Sequence, residues 1–460
     1  MTPEKFDTII IGTGQSGKPL ALALGRAGRK TAVVEARHVG GTCINVGCTP
    51  TKTMVAAARV AYLARRGADF GVHASAPRVD LAEVWARKQR VVEQFRRGGQ
   101  RGLESVPAID LVFGEGSFID ARTVRVRLNA GGERLLAAER IVINTGGRPA
   151  VPNIPGLVDV NWLDSSSVME LQILPAHLVV LGGGYIGLEF SQMFRRFGAR
   201  VTVITRDDRL IPREDPDVSA EVEKILAEDG IDIVKNANTL RVAGHGGVQI
   251  LVETPEGQRE IAGSHLLVAI GRAPNSDRLN LGAAGVATDK AGYITVNNRL
   301  ETDTPGIYAI GDVKGGPAFT HISYDDYRVL RANWLEGGSA TIDGRYVPNT
   351  MFIDPQLATV GVNEAEAKRR GLNYQVAKLP MTSVARAIEM SETRGFMKAI
   401  VDADTHQILG CTILGIEGGE IMSMLQIAMM GKLPYPALRE AIFAHPTLAE
   451  SLNNLFGTLG

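Results

Sequence analysis

"FDTIIIGTGQSGKPLALALGRAGRKTAVVEA", residues 6–36, reads as an apolar strand, a glycine-rich turn, an amphipathic helix and a second apolar strand. The turn carries G-x-G-x-x-G at Gly12, Gly14 and Gly17, and Gly28 follows the helix. The same order returns in "HLVVLGGGYIGLEFSQMFRRFGARVTVITR", residues 177–206. Gly182, Gly184, Gly187 and Gly198 stand there, each 170 positions after its counterpart. A lone G-x-G-x-x-G in a glycine-rich chain says little. Set between strand and helix, and repeated in register, it predicts two dinucleotide-binding βαβ units. The glycines permit the tight turn, let a pyrophosphate approach the backbone and let helix pack on strand, while the first helical amides face the phosphates.

The two copies part at the end of their second strands. Eighteen residues after its third motif glycine the first copy has Glu35, suited to accept hydrogen bonds from a ribose diol. The second copy has Thr205 there, followed by Arg206 and Arg209. An acid would repel a 2′-phosphate, whereas a hydroxyl and guanidinium groups would bind it. The first unit therefore fits a dinucleotide with free ribose hydroxyls, and the second favours NADPH over NADH.

At 460 residues the chain exceeds one ordinary core and predicts several domains. Apolar content of 45% with 22% charge fits a globular protein, and 52 glycines agree with many tight turns. Fifty basic residues balance fifty acidic ones, so no overall charge steers the molecule to nucleic acid or to an anionic membrane. The basic run "WARKQRVVEQFRRGGQRG", residues 85–102, reads as the solvated face of a helix. The N-terminus enters a strand without a signal-peptide pattern, and no apolar run reaches the ~18 residues of a membrane span. A cytoplasmic location is expected.

Only three cysteines occur, and two lie in "GGTCINVGCTPTK", residues 40–52. "TPTKTMVAAARVAYLARR" then reads as a long helix, which puts Cys48 at its N-terminus, where the dipole favours a thiolate. Lys52 adds positive charge one turn on. A thiol of lowered pKa beside a resolving thiol, Cys43, suits disulfide exchange. Structural zinc wants four ligands, and only His38 is near in sequence, so no metal site is expected.

"GGTCINVGCTPTK" resembles the redox-active loop of the class I pyridine nucleotide–disulfide oxidoreductases, among them glutathione reductase, dihydrolipoamide dehydrogenase and mercuric reductase. Further segments resemble the family in order: "TGGRP" (145–149), "VAIGRAPN" (268–275), "TDTPGIYAIGDV" (302–313) and "AHPTLAESL" (444–452). The resemblance implies an α/β fold with two Rossmann-like domains, for FAD and NAD(P), and a C-terminal α/β dimerisation domain. The implied division is an FAD domain at 1–147 and 275–345, a nucleotide domain at 148–274 and a dimerisation domain at 346–460.

The resemblance also implies roles. FAD would lie on Gly12, Gly14, Gly17, Glu35, Gly41, Thr42, Lys52, Gly116, Thr145, Gly146 and Asp312. NADPH would lie on Gly182, Gly184, Tyr185, Ile186, Gly187, Thr205, Arg206 and Gly271, with Tyr185 covering the flavin until nicotinamide displaces it. Electrons would pass from NADPH through FAD to a Cys43–Cys48 disulfide and on to a low-molecular-weight disulfide. Cys48 would be the flavin-side thiolate, Cys43 the interchange thiol, and Lys52 would pair with Glu189 near the flavin. His445 and Glu450 would form an acid–base pair contributed by the partner of a homodimer.

The C-terminus narrows the acceptor. Mercuric reductases hand over metal through a vicinal cysteine pair, but no cysteine follows Cys411, which sits in the apolar run "ILGCTILGI" and reads as a core residue. "FTHISYDDYRVL" and "HPTLAESLNNLF" resemble the reactive-chlorine-resistance flavoproteins, a branch linked to copper(II) reduction. Two alternatives stay open: a copper or mercury reductase, and a flavin–thiol redox sensor without sustained turnover.

Overall fold

The computed structural model describes residues 2–73, 75, 77–244 and 246–459, so Met1 and Gly460, the ends of the expected first and last domains, lie outside the described residues. Contacts gather the chain into two compact units, a coarser division than the expected domains. One comprises Met1–Thr53, Trp85–Ala150 and Gly271–Arg345, the other Met54–Val84, Val151–Ile270 and Tyr346–Gly460.

The first unit is built on β1 (Glu4–Ile11), β2 (Thr31–Glu35), β3 (Ile109–Asp120), β4 (Thr123–Leu128) and β5 (Glu133–Ile143). β3, β2, β1 and β5 run parallel in that order, and Ile307–Ala309 adds a parallel edge strand beside β5. β3 and β5 are long because each also serves the antiparallel pairing with β4. Ile9, Ile10 and Ile11 of β1 are all buried, the continuous apolar run expected of a strand covered on both faces. α1 (Gly17–Arg26) buries Leu20, Ala21 and Leu24. α2 (Gly41–Asn45) is short, and α3 (Cys48–Arg65) begins at the second cysteine, as the sequence predicts.

The basic run lies on α4 (Leu81–Glu104). Its expected solvated face is interrupted by Lys88, which is only 1% exposed with its ammonium 5.8 Å from the Trp85 ring centroid.

In the second unit Leu178–Leu181 is likewise buried within a parallel sheet ordered 265–268, 177–181, 200–204, 232–234. α5 (Tyr185–Phe197) follows the second glycine turn. The duplication is physical. Gly12 has φ 106° and Gly182 φ 119°, and a Cβ there would come within 2.3 Å and 2.4 Å of the Asn144 and Ala269 carbonyl oxygens. Only glycine fits both demands. The same unit holds a five-stranded antiparallel sheet, ordered 349–351, 356–361, 408–415, 396–402, 374–380. Cys411 lies in it, 3% exposed, and burial pushes its thiol up to about 12. The core reading of that residue holds.

Candidate functional site

The first glycine turn is locked from beneath by one side chain. Asn144, buried at the end of β5, accepts the Gly17 N–H at 2.9 Å and donates to Ser16 Oγ at 2.7 Å and the Ile310 carbonyl at 3.0 Å. Ser16 continues to Ser323 at 2.8 Å. Leaving one such buried group unpaired costs about 1–3 kcal/mol, so the network fixes the turn against the "AIGD" segment. Sequence reading missed Asn144; the faint signal is a lone amide between an apolar strand and "TGG". Ser16, inside the glycine motif, and Ser323 carry no signal of their own.

Glu35 is buried at the end of β2. Its carboxylate accepts the N–H and hydroxyl of Thr13 and, at 2.9 Å, the Arg37 N–H, which aims it at the mouth of the turn. Gly41 has φ 62°, and a Cβ there would stand 2.7 Å from Gly14 Cα, so Gly41 runs directly against the glycine turn, with Thr42 next to it in α2. Gly116 lies within β3. Asn275 clasps the other side: it donates to the Thr145 carbonyl at 2.9 Å, accepts the Thr145 hydroxyl on its own carbonyl at 2.7 Å, and gives its N–H to Gly146. Asp312 lies 3.9 Å from Arg272, and burial raises its carboxyl above the ordinary range while Arg272 opposes the shift. A carboxyl so placed suits a sugar hydroxyl donor. A cradle that admits no Cβ, an aimed ribose acceptor and a second, half-buried acceptor fit the ADP half and ribityl chain of FAD. Asp326, fully buried, accepts the Gly311 N–H at 2.8 Å and pairs with Lys314 and Arg345, holding the backbone next to Asp312.

The thiol loop is held by Asn45. Its amide donates to the carbonyls of His38, Val39 and Gly41, and its oxygen accepts Arg96 Nε at 2.9 Å. Part of the basic run thus braces the loop between the cysteines. Cys43 is half-buried and Cys48 exposed, both as thiols. A hydrogen bond to Cys48, reinforced by burial, pushes the Cys43 thiol well up, while Thr320 and Lys52 act against the shift. The Thr320 hydroxyl lies 3.3 Å from Cys48 Sγ. Lys18, half-buried in the first turn of α1, has its pKa lowered by burial, with Cys43 opposing. Of the two sulfurs Cys43 is thus the one disposed to keep its proton, and Cys48, at the start of an 18-residue helix, the one suited to negative charge.

In the second unit a Cβ on Gly187 would stand 2.3 Å from the Gly182 carbonyl oxygen, whereas Gly184 has open space in front of it. Tyr185 and Ile186 open α5, and the Tyr185 hydroxyl reaches Glu214. Thr205 is buried at its strand end, and its hydroxyl accepts the Asp207 N–H at 3.3 Å. Arg206 is exposed, with no carboxylate partner among the described residues, and Arg209 Nε is buried without a hydrogen-bond partner there. These donors fit a nucleotide phosphate. Gly271, φ 143°, lies at the first unit's boundary and accepts the Ala150 N–H. Glu189 is buried and accepts the Phe352 N–H at 2.7 Å; Lys52 belongs to the other unit. His445 Nδ1 lies 2.9 Å and 3.1 Å from the two Glu450 oxygens, with the imidazole 73% exposed.

Two glycine-turn units, a paired thiol loop and a His–Glu pair are the parts that a flavin-linked disulfide reductase requires. The sequence profile of the pyridine nucleotide-disulphide oxidoreductases matches residues 6–326, and that of their dimerisation domain residues 347–456, so the chain belongs to this family. RclA of Escherichia coli strain K12, a probable pyridine nucleotide-disulfide oxidoreductase, is 39% identical over 456 residues, 98% of this chain and 99% of RclA. A mercuric reductase of Lysinibacillus sphaericus is 37% identical over 450 residues, 98% of this chain and 82% of that enzyme. The solved Cu(II) complex of the HOCl-induced flavoprotein disulfide reductase RclA from Escherichia coli superimposes with a TM-score of 0.91 at 38% identity, covering 99% of this chain and 100% of that one. The protein is thus a flavoprotein disulfide reductase of the branch holding RclA and the mercuric reductases, and membership implies FAD and NAD(P). Its dimerisation domain supports a homodimer. Among the described residues no helix is long and apolar enough to cross a membrane.

Proposed function

We propose that this protein is a cytoplasmic, NADPH-preferring reductase that passes electrons through the Cys43–Cys48 disulfide to a low-molecular-weight disulfide. The observation that carries the reading is the thiol pair: two sulfurs in hydrogen-bond reach, the second at a helix N-terminus with the Thr320 hydroxyl 3.3 Å away. Bound FAD supplies the two-electron relay between a nicotinamide and that disulfide. Its ADP half would rest on Gly12, Gly14, Gly17 and Glu35, its ribityl chain on Asp312, and Lys52 with Glu189 would flank the ring. The FAD domain would comprise 1–147 and 275–345, with the nucleotide domain at 148–274 and the dimerisation domain at 346–460.

The thiol steps follow from the residues. Cys43 gives its proton to His445, whose Nδ1 is fixed by Glu450, and its thiolate attacks one sulfur of the substrate disulfide; the S–S bond breaks and the departing thiolate takes that proton back from His445. Cys48 thiolate then attacks the Cys43 mixed disulfide, closing Cys43–Cys48 and releasing the second half of the substrate. His445 and Glu450 would come from the partner subunit.

A second reading, copper(II) reduction through the same thiols, is favoured by the Cu(II) complex of the Escherichia coli relative. Offering disulfides and copper(II) separately, with NADPH, tests the choice. Turnover with a disulfide supports the first reading, and turnover with copper alone replaces it. Cofactor choice is tested with Thr205→Glu combined with Arg206→Ala. The added acid repels a 2′-phosphate and a cation is lost, so NADPH preference is expected to fall by about tenfold or more in kcat/KM relative to NADH. An unchanged ratio removes these two residues from the account.

A further inference from the structure

Glu214 has no part in the thiol chemistry, yet it is buried, and its Oε1 accepts the Tyr185 hydroxyl at 2.5 Å. Burial pushes its carboxyl upward, the Tyr185 hydrogen bond opposes this, and the neighbouring Asp215 adds to the rise.

The segment that delivers Glu214 is strained. Ile211 has φ 41°, in the left-handed region that a β-branched residue avoids. It is held there by its N–H, which donates to the Gly183 carbonyl at 2.9 Å, and by its carbonyl, which accepts the Glu214 N–H at 2.9 Å. Such conformations persist only where the surroundings over-determine them, and they gather at ligand clamps. The far end is anchored as well. Asp215 accepts the N–H groups of Glu364 and Ala365, each at 3.0 Å, and Lys398 Nζ at 2.9 Å. Residues 211–215 are thus pinned at both ends, which makes Glu214 a fixed acceptor. Tyr185 directly follows Gly184, which is exposed and has no heavy atom within 4 Å of where a Cβ would sit. The tyrosine packs on the unit's apolar core, its hydroxyl on Glu214, and the turn stays open.

We propose that Glu214 is a positioning residue for nucleotide binding: it holds the Tyr185 ring stowed beside residues 211–215 and keeps the second glycine turn clear for NADPH. The inference rests on the reading that this turn takes NADPH. Without the acceptor the ring gains freedom to lie across the turn, and the apparent affinity falls with the fraction of molecules left competent to bind.

The test is the dissociation constant for NADP+, measured by calorimetry on the FAD-loaded full chain. Glu214→Ala and Tyr185→Phe are each expected to weaken binding roughly ten- to a hundredfold, the effect of losing a hydrogen bond to a charged group. The double variant binds no more weakly than the worse single one, because both changes remove the same contact. Glu214→Gln, which keeps an acceptor oxygen, restores most of the affinity. Wild-type affinity in both single variants, additive losses, or no rescue by glutamine overturns the proposal. If the unaltered protein fails to bind NADP+, the underlying cofactor reading falls, and this inference with it.

Discussion

A protein carrying Cys48→Ser is expected to fold, to retain FAD and to lose disulfide reduction by about four orders of magnitude or more, the scale seen when one member of a catalytic unit is removed. Folding should survive because Cys48 is exposed and opens α3, a position that tolerates serine well, and because a hydroxyl can keep the contact to Thr320. Chemistry should not survive, since serine can neither close a disulfide with Cys43 nor resolve a mixed disulfide formed on it. Flavin absorbance per protomer and NADPH-dependent reduction of a disulfide are the two readouts. Full retention of FAD together with full activity would remove the thiol pair from the mechanism.

His445→Ala carries the second large effect. Proton transfer by a positioned side chain contributes typically about 10²–10⁴-fold, and a loss in that range is expected in disulfide turnover. The imidazole is exposed and its hydrogen-bond partner is Glu450, so stability should change by no more than about 0.5 kcal/mol. On the proposed mechanism Glu450 orients His445 through Nδ1, leaving Nε2 to meet the leaving thiolate. Glu450→Gln should therefore lie between wild type and His445→Ala. If turnover of the disulfide is untouched while copper(II) is reduced at the wild-type rate, the His–Glu pair has another purpose and the metal-reductase reading gains.

What the sequence disclosed was whatever has a period or a fixed spacing. The two glycine motifs announced both parallel sheets because their strand–turn–helix order repeats, and the structure gives Gly12 and Gly182 the same left-handed backbone and the same carbonyl clash. Cys48 was legible as a helix start because a long helical pattern follows it, and His445 met Glu450 across five positions. Single polar side chains that act over long separations were not legible. Asn144 joins Gly17 to Ile310 across separations of 127 and 166 residues, and a lone amide carries no pattern that foretells either bond. Asn45 is as silent in the sequence, and its bond to Arg96 appears only when α4 packs beside the loop. Lys88 illustrates the opposite error, since a basic run on an amphipathic helix reads as solvated until one member turns inward over Trp85. The strain at Ile211 is likewise invisible, because nothing about isoleucine predicts a positive φ.

The most direct test of the account is to add NADPH anaerobically to the oxidised, FAD-loaded protein, quench with an alkylating reagent and map the modified cysteines. The account predicts that Cys43 and Cys48 become alkylated together as NADPH is consumed, while Cys411 stays unmodified in the sheet core. Consumption of NADPH without the appearance of those two thiols would contradict it.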